Sequence, residues 1–309
     1  MSSLSPDSSA SAERPSTSSA AASGRPTGPD GGEQRASNAG QERIHPKKVR
    51  TLHLQKFKDA GQKFGMLTAY DAEMASIFND VGIEVLLVGD SASNVMMGRS
   101  TTLPITVDEL LVFAKSVVNG AQRSLIVVDL PFGSYEASPQ QAVETAVRFM
   151  KEAGVHAVKV EGDASISGHI QALVSAGIPV MAHVGFTPQS EHALGGYRVQ
   201  GRGETSDRLL QDALAAQEAG AFCVLMEMVP AAVAAEVDAA LHVPTVGIGA
   251  GSATTGQVLV WQDVLGLGSG RSPRFVKQYA DLRGVVTDAV AQYHHDVISG
   301  EFPAQEHTF

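Results

Sequence analysis

Four times in this chain an amphipathic stretch ends in a glycine and runs straight into an apolar segment: "FNDVGIEVLLVGD", "MKEAGVHAVKVEG", "LVSAGIPVMAHVG" and "AQEAGAFCVLMEM". A helix that stops on a left-handed residue takes glycine there at little cost. The short apolar segments suit strands buried on both faces. Helix starts are marked too: Thr106 precedes "VDELL", Ser138 and Pro139 precede "QQAVETAV", and Thr205 or Ser206 precedes "DRLLQDAL". Strands that alternate with helices imply parallel pairing through right-handed crossovers.

The spacing predicts strands at residues 65–70, 85–90, 125–130, 157–162, 180–185, 221–228, 244–249 and 257–260. Eight such units close naturally as a (β/α)8 TIM barrel. An open doubly wound sheet is the alternative, but no GxGxxG follows a first strand. Residues 1–42 are rich in Ser, Ala, Gly and Pro, with little to bury, and are expected to form a disordered tail ahead of a catalytic barrel over 43–309. The start of the chain lacks the basic and apolar regions of a secretory signal. No run approaches the ~18 apolar residues of a membrane span. A cytoplasmic protein is expected.

Chemistry is narrowed next by charge. A formal net charge of −10 argues against nucleic acid or an anionic membrane surface as the main partner. Cys223, the sole cysteine, lies inside an apolar run. A disulfide framework and a Cys-rich zinc site are therefore excluded, and Cys223 reads as a small buried hydrophobe.

Against that background the ends of the apolar runs stand out. Asp90, Asp129, Glu161 and Glu227 close or nearly close four different strands. In a (β/α)8 barrel that end carries the active site, and isolated carboxylates are costly to desolvate unless a cation meets them. Lys159 and Glu161 are two apart on one strand, so they share a face; Val158 and Val160 then face the helices. Converging carboxylates without Cys-rich or HExxH ligands favour a hard, oxygen-loving cation such as Mg2+. Asp90, Asp129 and Glu161 are its candidate ligands or ligand-orienting groups, and Lys159 would steady an anionic substrate. His183, near another strand end, joins the pocket. "VGIGAGSATTGQ" has the composition of a phosphate-binding loop or a tight turn, and "GGYRVQGRGET" that of a lid or an exposed linker.

These residues, in this order, resemble the ketopantoate hydroxymethyltransferase (3-methyl-2-oxobutanoate hydroxymethyltransferase) family. The likeness runs from about Val49 to Phe309 and includes "TAYD", "LLVGDS", "TTLPIT", "DLPF", "VKVEG", "HVGFTPQS", "GGYRVQGR", "GIGAG" and the closing "EHTF". It implies a Mg2+-dependent cytoplasmic transferase. Such an enzyme moves a one-carbon unit from 5,10-methylenetetrahydrofolate to 3-methyl-2-oxobutanoate and yields 2-dehydropantoate for pantothenate and coenzyme A. The resemblance implies that Asp90, Asp129 and Glu161 occupy the metal positions and that Asp90, Ser91, Asp129 and Lys159 contact the keto acid. It makes Glu227 the proton acceptor, places His183 in the same pocket, and implies a homodecamer of two five-membered rings.

Gly98-Arg99-Ser100 and Ser93 depart from the residues common in that family, which leaves local contacts after the second strand open. Two rival readings stay in view. One is another Mg2+-dependent lyase or mutase acting on a 2-oxo acid, separated from the first by folate dependence. The other is a catalytically silent assembly barrel, which predicts losses among the charged strand ends; none is lost.

Overall fold

The computed structural model describes residues 43–270 and 272–309; the tail expected over residues 1–42 lies outside the described residues. Eight parallel strands form one closed barrel: β1 (Phe64–Thr68), β2 (Val85–Val88), β3 (Leu125–Asp129), β4 (Ala157–Glu161), β5 (Val180–Gly185), β6 (Cys223–Glu227), β7 (Thr245–Ile248) and β8 (Gly256–Leu259). Each pairs with its sequence neighbour, and β8 returns to β1. All eight expected strands are present. Several stop one or two residues short of the expected end, because there the backbone leaves the ladder to build loops.

The local signals work as chemistry dictates. Gly82, Gly154, Gly177 and Gly220, the four stops before apolar segments, all have positive φ. Thr106 caps the helix Val107–Gly120 in a reciprocal box with Glu109, and Ser138 caps Pro139–Arg148. The helix Ser206–Glu218 has no side-chain cap and grows instead from a 3-10 turn, Gly203–Thr205.

Alternation along the strands sorts side chains into two layers. Phe64, Met66, Val85, Leu87, Leu125, Val127, Ala157, Met181, Cys223, Leu225, Val246 and Val258 fill the barrel interior. Val88, Val128, Val158, Val160, Ala182, Val184, Val224 and Met226 pack outward against the helices. Cys223 is thus a core hydrophobe. Leu54 and Phe57, both fully buried, bring the helix Thr51–Asp59 into the inner layer. Each such side chain contributes about 1.5–3 kcal/mol, enough to dock a nine-residue helix.

β7 and β8 depart from the repeating pattern, because no helix connects them. The glycine-rich stretch "GAGSATT" is itself the crossover. Lys63 Nζ donates to the carbonyls of Ala253 and Thr254 at 2.7 and 2.6 Å, and a Cβ on Gly251 would meet Ala231 at 2.6 Å. Close packing in a short return accounts for these glycines. The residues that break the family pattern are structural as well. Arg99 holds Glu109 through both carboxylate oxygens and donates to the Pro104 carbonyl at 3.2 Å. Ser93 Oγ donates to the Thr101 carbonyl at 2.7 Å. Together they stitch the loop after β2 to the start of its helix.

Among the described residues no helix is long and apolar enough to cross a membrane.

Candidate active site

The inward positions nearest the C-terminal ends of the strands are polar. On β3 the inward series Leu125, Val127 ends in Asp129; on β4 Ala157 is followed by Lys159 and Glu161; on β5 Met181 by His183; on β6 Cys223 and Leu225 by Glu227. Register completes the arrangement by placing Asp129 beside Lys159 and Glu161 beside His183. Asp90 and Ser91 follow β2, where the chain turns into a short helix, Ala92–Val95. All of these groups line one cavity of about 380 Å³ at the mouth.

Lys159 is the hub. Its ammonium lies 3.0 Å from Asp129 Oδ1, 3.1 Å from Glu161 Oε1 and 3.1 Å from His183 Nδ1. Burial alone would lower its pKa, but Asp129, Glu161 and Asp90 hold it well above the usual lysine range. Burial likewise works against ionised Glu161, yet Lys159 and His183 bring its carboxyl down to about 2. Its second oxygen accepts the backbone N–H of Gln189 at 3.0 Å.

Asp90 and Asp129 are less well served. Burial, then the charges of Asp129 and Glu161, push Asp90 well above the usual carboxylate range. Burial also raises Asp129, which Lys159 offsets only in part. The Asp90 N–H donates to Asp129 Oδ2 at 2.9 Å. Asp129 Oδ1 meets Lys159 without hydrogen-bond alignment. Two buried carboxylates therefore stand short of positive charge.

His183 is positioned between two acids: Nδ1 lies 3.2 Å from Glu161 Oε1, and Nε2 lies 3.4 Å from Glu227 Oε2. Burial and Lys159 oppose its protonation. Glu161 and Glu227 outweigh them and raise its pKa to about 9, so the two carboxylates favour the protonated ring. Glu227, with 14 % of its side chain exposed, keeps a face toward the cavity. The next residue, Met228, has φ +48, the sole positive φ outside glycine among the described residues. Backbone held there stores strain where a site needs a fixed direction.

Gly185 is paired with Glu227 across β5 and β6. Its φ is +93, and an added Cβ would lie 2.6 Å from the Glu227 carbonyl oxygen. Gly185→Ala is therefore expected to lower stability by about 1–3 kcal/mol and to slow turnover by displacing the end of β6. The urea midpoint and kcat check both effects.

The structure brings together every residue singled out from the sequence, Ser91 included: its Oγ is 2.8 Å from Tyr70 Oη. It also adds Gln189, whose side-chain amide donates to Asp90 Oδ2 and the Leu130 carbonyl at 2.9 and 3.0 Å and accepts from Tyr135 Oη at 2.7 Å. Tyr135 in turn brackets the backbone of Glu161. Gln189 lies in "HVGFTPQS", but a neutral amide gives no charge signal; only its place after β5 marks it. Tyr197, from "GGYRVQGR", lines the cavity and stacks on Phe186 at 4.7 Å.

The three carboxylates proposed for a metal face one region but do not form a ready cage: among the described residues no three His, Cys, Asp or Glu side chains are so disposed. The reason is Lys159, which takes up the space between Asp129 and Glu161.

A closed parallel barrel with an acid-lined mouth defines a (β/α)8 enzyme of a well-populated kind. Solved structures of like fold include a phosphonopyruvate hydrolase complexed with oxalate and Mg++ (TM-score 0.55, 13% identity, covering 84% of this chain and 93% of that one). Another is a 2,3-dimethylmalate lyase of the PEP mutase/isocitrate lyase superfamily (TM-score 0.53, 14% identity, 84% and 91% covered). At such identities the likeness is one of fold. Residues 48–305 match the ketopantoate hydroxymethyltransferase family profile, and the chain belongs to that family. It is 63% identical over 283 residues to the 3-methyl-2-oxobutanoate hydroxymethyltransferase of Paenarthrobacter aurescens (strain TC1), covering 92% of this chain and 93% of that protein. It is 57% identical over 294 residues to the protein so named in Nocardioides sp. (strain ATCC BAA-499 / JS614), covering 95% of this chain and 100% of that protein.

Proposed function

We propose that this chain transfers the one-carbon unit of 5,10-methylenetetrahydrofolate, with water, to C3 of 3-methyl-2-oxobutanoate as a hydroxymethyl group. The products are 2-dehydropantoate, on the route to pantothenate and coenzyme A, and tetrahydrofolate. The observation that carries the reading is the division of the mouth into two stations. Cation-seeking carboxylates surround Lys159, and Glu227, backed by His183, faces the same cavity.

Asp90, Asp129 and Glu161 would hold Mg2+. Hard oxygen donors suit that ion, and the unmet charge on Asp90 and Asp129 supports the assignment. When bound, Mg2+ supplies Lewis-acid stabilisation of negative charge on the keto oxygen. Lys159 meets the same developing charge from within the barrel. Ser91 Oγ, fixed by Tyr70, offers a hydrogen bond to the acid group. Leu87, Leu225, Ile248 and Val258 give the cavity an apolar side that fits a branched alkyl end.

Glu227 is the base that takes the C3 proton. His183, held by Glu161, lies 3.4 Å from Glu227 Oε2 and orients it. Enolisation needs no folate, so the wild-type enzyme with Mg2+ should exchange the C3 proton of the keto acid with deuterium oxide. Proton NMR follows this loss, and failure to exchange at any pH from 6 to 9 would remove the enolisation half of the reading.

We propose also that the chain self-associates, as the homodecamer of the family resemblance. No residue of the helix Leu282–Ser299 is buried. Val286, Val290, Tyr293 and Val297 recur along it at helical spacing, and all are exposed. An apolar stripe of that length on water calls for a partner, here a second copy. Light scattering should give a mass several times 32.3 kDa, and Val286→Asp with Val290→Asp should reduce it; a monomeric wild type would refute self-association.

A further inference from the structure

The cavity that holds Lys159 and Glu227 extends to the end of β8, where Val95, Leu259, Val260 and Phe275 form an apolar wall and Asp263 supplies a carboxylate. A small keto acid placed at Lys159 leaves this side for the second reactant. Asp263 also lines a neighbouring cavity of about 290 Å³. Its carboxylate has no hydrogen-bond or ion-pair partner among the described residues, and burial, unopposed by any donor or cation, pushes its pKa up.

Gln262, beside it, is 5% exposed. Its amide nitrogen contacts Met96 Sδ at 3.4 Å, while its Oε1 is buried without a partner. Gln262 lines the neighbouring cavity and not the one that holds Lys159 and Glu227, so Asp263 alone offers an unmet acceptor to the reacting cavity. The keto acid consists of acceptors only and cannot satisfy it. A ligand with adjacent N–H donors on a flat, partly apolar body fits this edge.

A reduced pterin is such a body. Its N3–H and 2-amino group form two parallel donors that a carboxylate accepts together, and further N–H groups lie along the same molecule. We infer that Asp263 receives the N3–H and 2-amino groups of the one-carbon donor and that the ring lies against Phe275. The inference rests on the folate-dependent reaction proposed above. A larger cavity of about 690 Å³, lined by Asp163, His169 and Arg208, meets the reacting cavity at Glu161 but contains neither Lys159 nor Glu227.

The test compares tetrahydrofolate with its 2-desamino analogue by calorimetry, on the full-length enzyme with Mg2+ and keto acid. Wild type should bind tetrahydrofolate roughly 10–100-fold more tightly than the analogue, the range for hydrogen bonds to a charged group. Asp263→Asn should erase most of that preference while the affinity for the keto acid holds. Equal binding of the two pterins by wild type overturns the inference, as does an unchanged preference in Asp263→Asn, and either result leaves the folate reaction standing. If wild type binds neither pterin, the folate reading falls and this inference with it. The wild-type comparison needs no variant, so a misfolded Asp263→Asn protein does not shield the inference.

Discussion

Asp129→Asn is expected to weaken Mg2+ binding by well over about 100-fold and to take turnover down with it, while the metal-free protein melts no lower than wild type. The two halves have one cause. Asp129 is buried, and burial first, then the charge of Glu161, raises its pKa, which Lys159 offsets only in part. Asparagine removes that buried charge and can still accept the Asp90 N–H, the bond Asp129 makes at 2.9 Å. Lys159 keeps Glu161 at 3.1 Å. The metal, in contrast, loses a charged ligand. Asp90→Asn should behave alike, since Asp90 is the more strongly raised of the two carboxyls. Calorimetric titration with Mg2+ and thermal melts with and without the ion separate the effects. If metal affinity survives both substitutions, the ion binds elsewhere. If the metal-free protein is destabilised by several kcal/mol, the carboxylates serve the fold instead.

Glu227→Gln divides proton transfer from binding. Glutamine keeps the shape and polarity of Glu227 but loses the basic oxygen, so Mg2+ and keto acid should bind nearly as in wild type. Exchange of the C3 proton with solvent deuterium should fall by about 10²–10⁴, the range for removal of a general base. His183 is the nearest other candidate, but Glu161 and Glu227 favour its protonated form, which makes it the weaker base. Wild-type exchange in Glu227→Gln would reverse that assignment and make His183 the base.

Much of this was legible before any coordinates, for identifiable reasons. Strand periodicity forces Lys159 and Glu161 to one face, and the glycine stops at 82, 154, 177 and 220 mark where strands begin. Charged residues at strand ends conflict with burial, and that conflict locates the mouth. Other features leave no such trace. Gln189 carries no charge, so its four contacts depend on a turn after β5 that brings it across to Asp90, 99 residues away in sequence. The contact of Lys159 with His183 depends on the register between β4 and β5. "GIGAG" has a phosphate-loop composition, but its glycines answer to a helix-free return between β7 and β8. Arg99 departs from the family pattern, yet its partner, Glu109, becomes visible only when the loop folds onto the cap.

The central claim is a folate-dependent carbon–carbon bond formed at C3 of the keto acid. It is tested most directly by incubating the wild-type enzyme with 3-methyl-2-oxobutanoate, Mg2+ and 5,10-methylenetetrahydrofolate labelled with carbon-13 at the methylene, and following the label by NMR. The label should appear in the hydroxymethyl group of 2-dehydropantoate, and it should vanish from that position when either Mg2+ or the folate is withheld. Label that stays on the folate with all components present, in an enzyme that binds the keto acid, would contradict the account.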